Sequence, residues 1–225
     1  MNTARYELGF GTEYEKFVLR DIAQRIIREL KPTSICEYPA NNLMGDNSEV
    51  FEGFDLRIDR LSNLDAVKRE AYDLVWNFCE VEQREDITEL VQEMLMLTRR
   101  YLFVVLQNRR NAGVCLHRIY HSLTAKRWDH GHIGLMSPTP LVRLLTSYGK
   151  IISVDYFDVP WFILDVYECG AYLRVIIPRF MRSKQHLKKS RFEEMSCSCK
   201  RWLAHHAYVL FEKFEAEDKT SVTAM

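Results

Sequence analysis

Ser34-Ile35-Cys36-Glu37-Tyr38-Pro39-Ala40-Asn41-Asn42-Leu43-Met44-Gly45-Asp46-Asn47 is the stretch around which the chain is organised. Ser34 to Glu37 predicts a short buried strand that closes on a carboxylate. Residues that accept unusual backbone angles follow, and Met44 to Glu52 has the composition of a short helix, with Gly53 suited to its end. An apolar strand that ends in an acid and turns through a tight loop into a helix is how open α/β sheets build nucleotide pockets. The loop brings backbone amides and the positive end of a helix to one point.

On the amino-terminal side, Phe17, Val18, Ile22, Ile26, Ile27 and Leu30 repeat at the spacing of one helix face over Glu13 to Leu30, and Pro32 stops that helix. Residues 1–11 read as a loose arm. On the carboxyl side, Phe54 to Asp59 alternates as a half-exposed strand ending in an acid. Residues 61–71 are too short and polar for a helix plus another strand. Tyr72 to Phe78 is an apolar run typical of a strand buried on both faces. Asp86 opens a helix striped by Ile87, Leu90, Val91, Met94 and Leu95, with Arg99 and Arg100 at its carboxyl end, where cations suit the dipole. Tyr101 to Leu106 is the clearest strand. Asn111 to Lys126 has helical spacing. Ser137 caps a helix with Pro138 in its first turn, Gly149 ends it, and Lys150 to Tyr156 is a strand. Trp161 to Ile177 is read as helix, 179–191 as a solvated basic connection, Phe192 to Leu203 as helix, and His205 to Lys213 as the last strand.

Strand–helix alternation predicts a mainly parallel sheet covered on both faces. The 225 residues suit one α/β domain with insertions. Within it, 1–32 form the arm and first helix, 33–161 the core, 162–204 a helical insertion, 205–213 the final strand and 214–225 a tail. With 31 acidic and 31 basic residues the net charge is zero, which argues against a nucleic-acid partner. Cys36 and Cys79 fall in apolar strand patterns and read as buried thiols. No apolar run reaches the ~18 residues of a membrane span, and Met1 to Phe10 holds no signal sequence. The expectation is a reducing cytoplasm and no membrane.

At this point the chain resembles the class I S-adenosylmethionine-dependent methyltransferases, from about Ser34 to Phe162 and again from His205 to Lys213. Ile35-Cys36-Glu37 is similar to the family's acid-ended first strand, and Tyr72 to Phe78 to its fourth. Asp86 to Arg100 and Tyr101 to Val105 resemble the helix and strand that follow. Leu135 to Pro138 and Tyr148 to Ile152 bracket a segment like the next helix, glycine and sixth strand. The resemblance implies a three-layer Rossmann-like fold: a mainly parallel sheet, an antiparallel final strand and helical insertions. It also implies S-adenosylmethionine as cofactor.

The glycine-rich turn that follows the family's first strand is replaced here by Glu37 to Leu43. Asn41 or Asn42 can keep a left-handed turn, Pro39 removes an amide donor, and Gly45 allows a close approach. Asp59 stands roughly 20 residues after Glu37, the spacing of a ribose-binding carboxylate; read alone, it is equally a solvated acid. The short 61–71 segment implies that the sheet's third, edge strand is reduced or absent. The resemblance places Glu37, Tyr38, Asn41, Asn42, Gly45, Asp59, Asn77 and Phe78 at the cofactor. Asn77 and Glu80 are its catalytic candidates: Asn77 to orient an acceptor, Glu80 as a base or as a hold on the cofactor's amino group.

Trp128, His130, His132, Asp158 and Trp161 are candidates for the substrate pocket. His130, His132, Asp129 and Asp158 are metal-ligand types, but the two histidines stand too close for a specific zinc pattern, so no metal is expected. His117 and His121 read as helix surface, and Cys197 with Cys199 as incidental. Asp155 to Trp161 either walls a pocket or fills core. The basic run Arg182, Lys184, Lys188, Lys189 and Arg191 lacks the interleaved aromatics of a base-stacking surface. The function expected is methyl transfer to a small-molecule acceptor. The alternative is a non-catalytic Rossmann-like module that has lost the cofactor, and a third reading, an RNA-modifying enzyme, is opposed by the neutral charge. Residues 108–134 and 162–204 are expected to cover the cleft or to form a homodimer surface.

Overall fold

The computed structural model describes residues 13–40, 51, 54, 56, 58–64, 69–125, 127–128, 131–158 and 191–214. The elements are α1 (Glu13–Leu30), β1 (Ile35–Glu37), β2 (Ile58–Arg60), β3 (Tyr72–Phe78), α2 (Ile87–Leu97), β4 (Thr98–Gln107), α3 (Ala112–Thr124), α4 (Pro138–Leu145), β5 (Gly149–Phe157), α5 (Cys197–Leu203) and β6 (His206–Lys213).

The six strands form one sheet in the order β2-β1-β3-β4-β6-β5. β2, β1, β3 and β4 are parallel, with Ile35 opposite both Ile58 and Leu74. β6 runs antiparallel between β4 and β5, pairing Val104 with Val209 and Val154 with Val209. Alternation along each strand sorts the core into two layers. On one face Val18, Leu19, Ile22 and Ile26 of α1 belong to a cluster with Ile35, Leu74, Trp76, Phe103 and Tyr208. On the other, Leu90, Val91 and Met94 of α2 and Leu141 and Leu145 of α4 join Val75, Leu102, Val104, Val209 and Phe211. Trp76 anchors the first layer, edge-on to Phe51 at 4.9 Å and tilted against Phe103 at 5.6 Å. Such aromatic pairs contribute roughly 0.5–1.5 kcal/mol beyond their burial. This is the Rossmann-like, three-layer architecture that the resemblance implies, antiparallel strand included. β4, with Tyr101 to Leu106, lies inside the sheet.

The helix starts follow from local chemistry. Asp86 accepts from the backbone N–H groups of Thr88 (2.7 Å) and Glu89 (3.4 Å), satisfying two donors that the first turn leaves open. Ser137 caps α4 in the same way, and Pro138 follows at a position where its missing N–H costs nothing.

Several expectations need correction. Arg99 and Arg100 do not end a helix: α2 stops at Leu97, and both arginines lie on β4, paired with Asp73 and Glu212. The β-branched and aromatic run behind them extends the strand back to Thr98. Gly149 opens β5 rather than closing α4, because any side chain there would strike the Glu212 carbonyl and the Phe211 ring. The second strand is shorter than expected and ends one residue later, at Arg60, so Asp59 is not its last residue. Phe192 to Leu203 divides into a 3-10 turn at Arg191–Glu194 and α5. β2 is the sheet edge, and no strand beyond it occurs among the described residues. The expected helix at 44–52, apart from Phe51, the helix at 161–177 and the basic connection at 179–190 lie outside the described residues.

The consequence for function is geometric. β1, β3, β4 and β5 all end, and β6 begins, on one side of the sheet. Glu37, the Phe78–Gln83 turn, Gln107–Asn111, Asp158 and His205–His206 therefore meet there.

Candidate active site at the strand ends

At the β1–β3 side, Tyr38 N–H donates to the Trp76 carbonyl (2.9 Å), and Asn77 Nδ2 donates to the Tyr38 carbonyl (2.9 Å). The end of β1 is thus tied to the end of β3. The amide of Asn77 is buried, and its Oδ1 has no hydrogen-bond partner among the described residues. Glu37 is buried, and its Oε2 accepts from Arg60 Nε at 2.8 Å. Asp59 faces the opposite layer, where its Oδ2 accepts from Tyr72 Oη at 2.9 Å. The Tyr38 phenol is buried, and that burial with the nearby Glu93 carboxylate pushes its pKa up. Phe78 packs between Trp76 and His206. Glu80 precedes a 3-10 turn at Val81–Gln83, and its carbonyl accepts from Gln83 N–H.

The β4–β6–β5 side holds a group that the sequence reading did not assemble. Asp158 follows β5 in the left-handed region (φ +60°), nearly excluded from water. His205 Nδ1 lies 3.0 Å from Asp158 Oδ2, and His206 Nδ1 lies 3.5 Å from the same oxygen. His206 Nε2 is 3.7 Å from Oε1 of Glu15, in the first turns of α1. The His206 ring stacks on Phe157 at 5.4 Å. Burial drives the Asp158 carboxyl up, but the charge and hydrogen bonds of His205 and His206 overcome that and hold it well below the usual carboxylate range. For His206 burial favours the neutral ring, yet Glu15 and Asp158 outweigh it and raise its pKa.

Glu82 completes the group. It is fully buried, its Oε1 accepts from Gln107 N–H at 3.0 Å, and burial pushes its pKa up to about 7. Cys79 lies beside it with a thiol raised by burial and by Glu82, Glu15 and Glu80; the Cys36 thiol is likewise pushed up, to about 12. Neither is a thiolate nucleophile at neutral pH.

A loop covers this turn. His132 N–H donates to the Glu82 carbonyl at 2.6 Å, and Trp128 Nε1 donates to the Gly131 carbonyl at 2.9 Å. Gly131 has φ +94°, and a Cβ there would lie 2.5 Å from the Glu82 carbonyl oxygen. Only glycine meets both conditions.

The structure therefore brings Glu37, Tyr38, Asn77, Phe78 and Glu80 to one rim, and the backbone of Gly131 and His132 onto Glu82; the His132 side chain itself is exposed. Asp158 joins the histidines, and Asp59 turns to Tyr72. Asn41, Asn42, Gly45, His130 and Trp161 lie outside the described residues. Glu15, Glu82, His205 and His206 were missed. Two adjacent histidines opening an apolar strand, Ala207 to Phe211, were the available signal, since one of them must face a core layer. Glu15 and Glu82 carried no signal in sequence. Among the described residues no group of three or more His, Cys, Asp and Glu could hold a metal ion, and no helix is long and apolar enough to cross a membrane. A groove lined by Arg69, Glu70, Gln92, Met96, Tyr148 and Lys213 lies at the opposite end of the sheet. There Lys213 Nζ is held by Glu70 and by the Leu95 and Thr98 carbonyls, which makes it a structural cation.

No protein-family model matches the sequence, and no curated protein matches it. Solved structures do. A methyltransferase of Thermotoga maritima, S-adenosylmethionine-dependent, is 10% identical over 90% of this chain and 99% of its own, with a TM-score of 0.46. Magnesium protoporphyrin IX methyltransferase from Synechocystis, crystallised with S-adenosylhomocysteine, is 7% identical over 89% of this chain and 84% of its own (TM-score 0.49). The plantazolicin methyltransferase, in complex with a substrate analogue and S-adenosylhomocysteine, is 10% identical over 90% of this chain and 86% of its own (TM-score 0.44).

Proposed function

We propose that the protein is an S-adenosylmethionine-dependent methyltransferase acting on a small-molecule acceptor. The observation that carries this reading is the strand order, with its antiparallel β6 between β4 and β5, together with an acid-ended β1 tied to Asn77 at the end of β3. In open α/β sheets ligands sit outside the carboxyl ends of the strands, where these residues lie.

The residues at the β1–β3 rim fit the cofactor's amino-acid end. Asn77 Oδ1, a buried acceptor without a protein partner among the described residues, suits an ammonium donor, with Glu37 and Tyr38 alongside. Asn41, Asn42 and Gly45 would line the loop and Phe78 would pack the apolar side. A ribose hydroxyl would donate to Asp59 beside the hydrogen bond that its Oδ2 accepts from Tyr72. When bound, the cofactor supplies a methyl group already activated on a sulfonium. What remains for the chain is placement and the exclusion of water, which is why few acid–base residues are needed. In this reading Asn77 orients, Glu80 stands at the turn that follows, and Trp128, His132 and Asp158 are assigned to the acceptor side; His130 and Trp161, assigned to it from the sequence, lie outside the described residues. The free thiols Cys36, Cys79, Cys197 and Cys199 support a reducing, cytoplasmic setting. A homodimer built on 108–134 or 162–204 belongs to the same reading.

A non-catalytic binding module is the second reading. It draws support from the two carboxylates expected at the cofactor, since Glu37 is engaged by Arg60 and Asp59 by Tyr72. Calorimetry with S-adenosylmethionine and S-adenosylhomocysteine separates the two. Binding of both is expected; no heat from either at millimolar concentration leaves the second reading in place.

A further inference from the structure

Arg110, in the turn after β4, and Arg201, on α5, both lie against the ring of Trp202. Their guanidinium carbons are 5.5 and 5.3 Å from its centre, and the tryptophan is 54% exposed. A guanidinium stacked on an aromatic face engages the ring through its charge. Its N–H donors lie in its own plane and stay available. Neither arginine has a carboxylate partner among the described residues. Arg201 Nε is shut off from water and meets no acceptor among the described residues, although the residue as a whole is only half-buried. A cationic donor so placed is costly, and an oxyanion removes that cost.

One buried side chain sets both arginines. Asn108 Oδ1 accepts from the Arg110 backbone N–H at 3.1 Å, while Asn108 Nδ2 donates to the carbonyls of Arg201 (2.7 Å) and Ala204 (2.8 Å). Asn111 Nδ2 donates to the Leu203 carbonyl at 2.7 Å. These bonds fix the carboxyl end of α5 to the end of β4. They also occupy helix carbonyls whose partial negative charge would oppose an anion. Asp155, the nearby acid, is taken by Lys200. The Tyr156 phenol is within electrostatic reach of both arginines and adds a hydroxyl donor. The Cys197 thiol stays neutral, since burial and Asp155 push its pKa up. Arg110, Arg201, Lys200 and Asp155 together leave this corner positive.

We propose that Arg110 and Arg201 form an oxyanion site for the acceptor, which is a small molecule carrying a phosphate or a carboxylate. The inference rests on the methyltransferase reading and names its substrate class. β3 and β4 are neighbours and end on the same side, so the site stands beside the rim that holds Asn77. Guanidinium forks bind an oxyanion through paired, charge-assisted hydrogen bonds. That tether holds the acceptor by a group remote from the atom to be methylated and takes no part in the transfer itself. An ammonium-bearing acceptor is repelled here, and a neutral one gains nothing from the two charges. Asn108 is a positioning residue: it touches the arginines, not the substrate.

The full-length chain tests this with phenyl phosphate and benzoate as anionic probes and benzyl alcohol as the neutral one. Calorimetry at low salt is expected to show at least one anion binding tenfold or more tightly than benzyl alcohol. Arg110→Gln and Arg201→Gln are each expected to weaken that binding at least tenfold, and Arg69→Gln, at the opposite end of the sheet, to leave it unchanged. The tighter anion identifies the acceptor's charged group. Nitrogen NMR of the wild type alone is expected to show an arginine Nε–H signal that moves on saturation with that anion, which tests the site even where a variant does not fold. The proposal is overturned by equal binding of anion and alcohol, by affinity that both glutamine variants retain, or by arginine signals that do not move. Oligothymidylate bound where neither small anion binds would assign the corner to single-stranded nucleic acid and overturn it as well. S-adenosylhomocysteine is titrated separately. If it gives no heat, the methyltransferase reading fails and the acceptor role falls with it. If it binds and the anions do not, this inference alone is removed.

Discussion

Asp158 and His205 join the end of β5 to the start of β6 twice over. The ring Nδ1 of His205 is 3.0 Å from the Asp158 carboxylate, and the His205 backbone N–H donates to the Asp158 carbonyl, also at 3.0 Å. The same carboxylate serves His206. Asp158→Asn tolerates the left-handed backbone but removes the charge, and is expected to cost about 3 kcal/mol by leaving the buried His206 and the partly exposed His205 without this counter-ion. The Asp158 pKa is depressed, so its contribution is present above its unfolded value and lost as pH falls through the folded one. The His206 pKa is raised, so its contribution is present below its unfolded value and lost as pH rises through the folded one. The gap between wild type and variant in urea denaturation should therefore be widest between roughly pH 4 and 6.5 and close on either side.

Glu82 has the opposite sign from an ordinary carboxylate. Its folded pKa is raised from 4.5 to about 7, so the stability of its protonated form is complete below 4.5 and is lost as pH rises through 7. Glu82→Gln should melt with the wild type at pH 4 and well above it at pH 8, where the difference approaches about 3 kcal/mol. Coincident melting at pH 8 would show that the carboxyl is not held out of water.

Asn77 ties β1 to β3 through the Tyr38 carbonyl. Asn77→Ala removes a buried hydrogen bond and should cost about 1–3 kcal/mol. If Oδ1 also receives the cofactor, S-adenosylhomocysteine affinity falls beyond what Asn77→Ser, which retains a hydroxyl, loses. Equal affinity in wild type and both variants would confine Asn77 to a structural role.

Asp59 and Tyr72 separate ribose binding from packing. As a ribose ligand, Asp59→Asn loses a charged acceptor contributing roughly 1.5–3 kcal/mol, a ten- to hundredfold drop in S-adenosylhomocysteine affinity. Tyr72→Phe should leave that affinity unchanged. A melting temperature lowered alike by both substitutions, with intact affinity, assigns Asp59 to the sheet edge.

Gly131→Ala places a Cβ against the Glu82 carbonyl at a backbone angle that L side chains rarely adopt. The strain, of order 1–3 kcal/mol, is expected to lift Gly131 and His132 from the Glu82 carbonyl. Amide exchange at His132, whose N–H is bonded to Glu82, reports it directly.

The sequence by itself determined the elements. Apolar periodicity placed α1 at Glu13–Leu30 and β3 at Tyr72–Phe78, the capping residues Asp86 and Ser137 located two helix starts, and the order of blocks implied the sheet topology. These are local signals, written within a few turns or a few residues. Where local signals conflicted, as between a basic helix end and a strand start at Arg99, pairing with β3 and β6 decided the outcome. Tertiary structure alone decided the chemistry of the cleft. Glu15, Glu82, Asp158 and the adjacent pair His205 and His206 are spread from the first described helix to the last strand, and nothing in the sequence relates the pair to the three carboxyls. They meet because an antiparallel strand brings its beginning to the side where the parallel strands end, and burial at that junction sets their proton affinities.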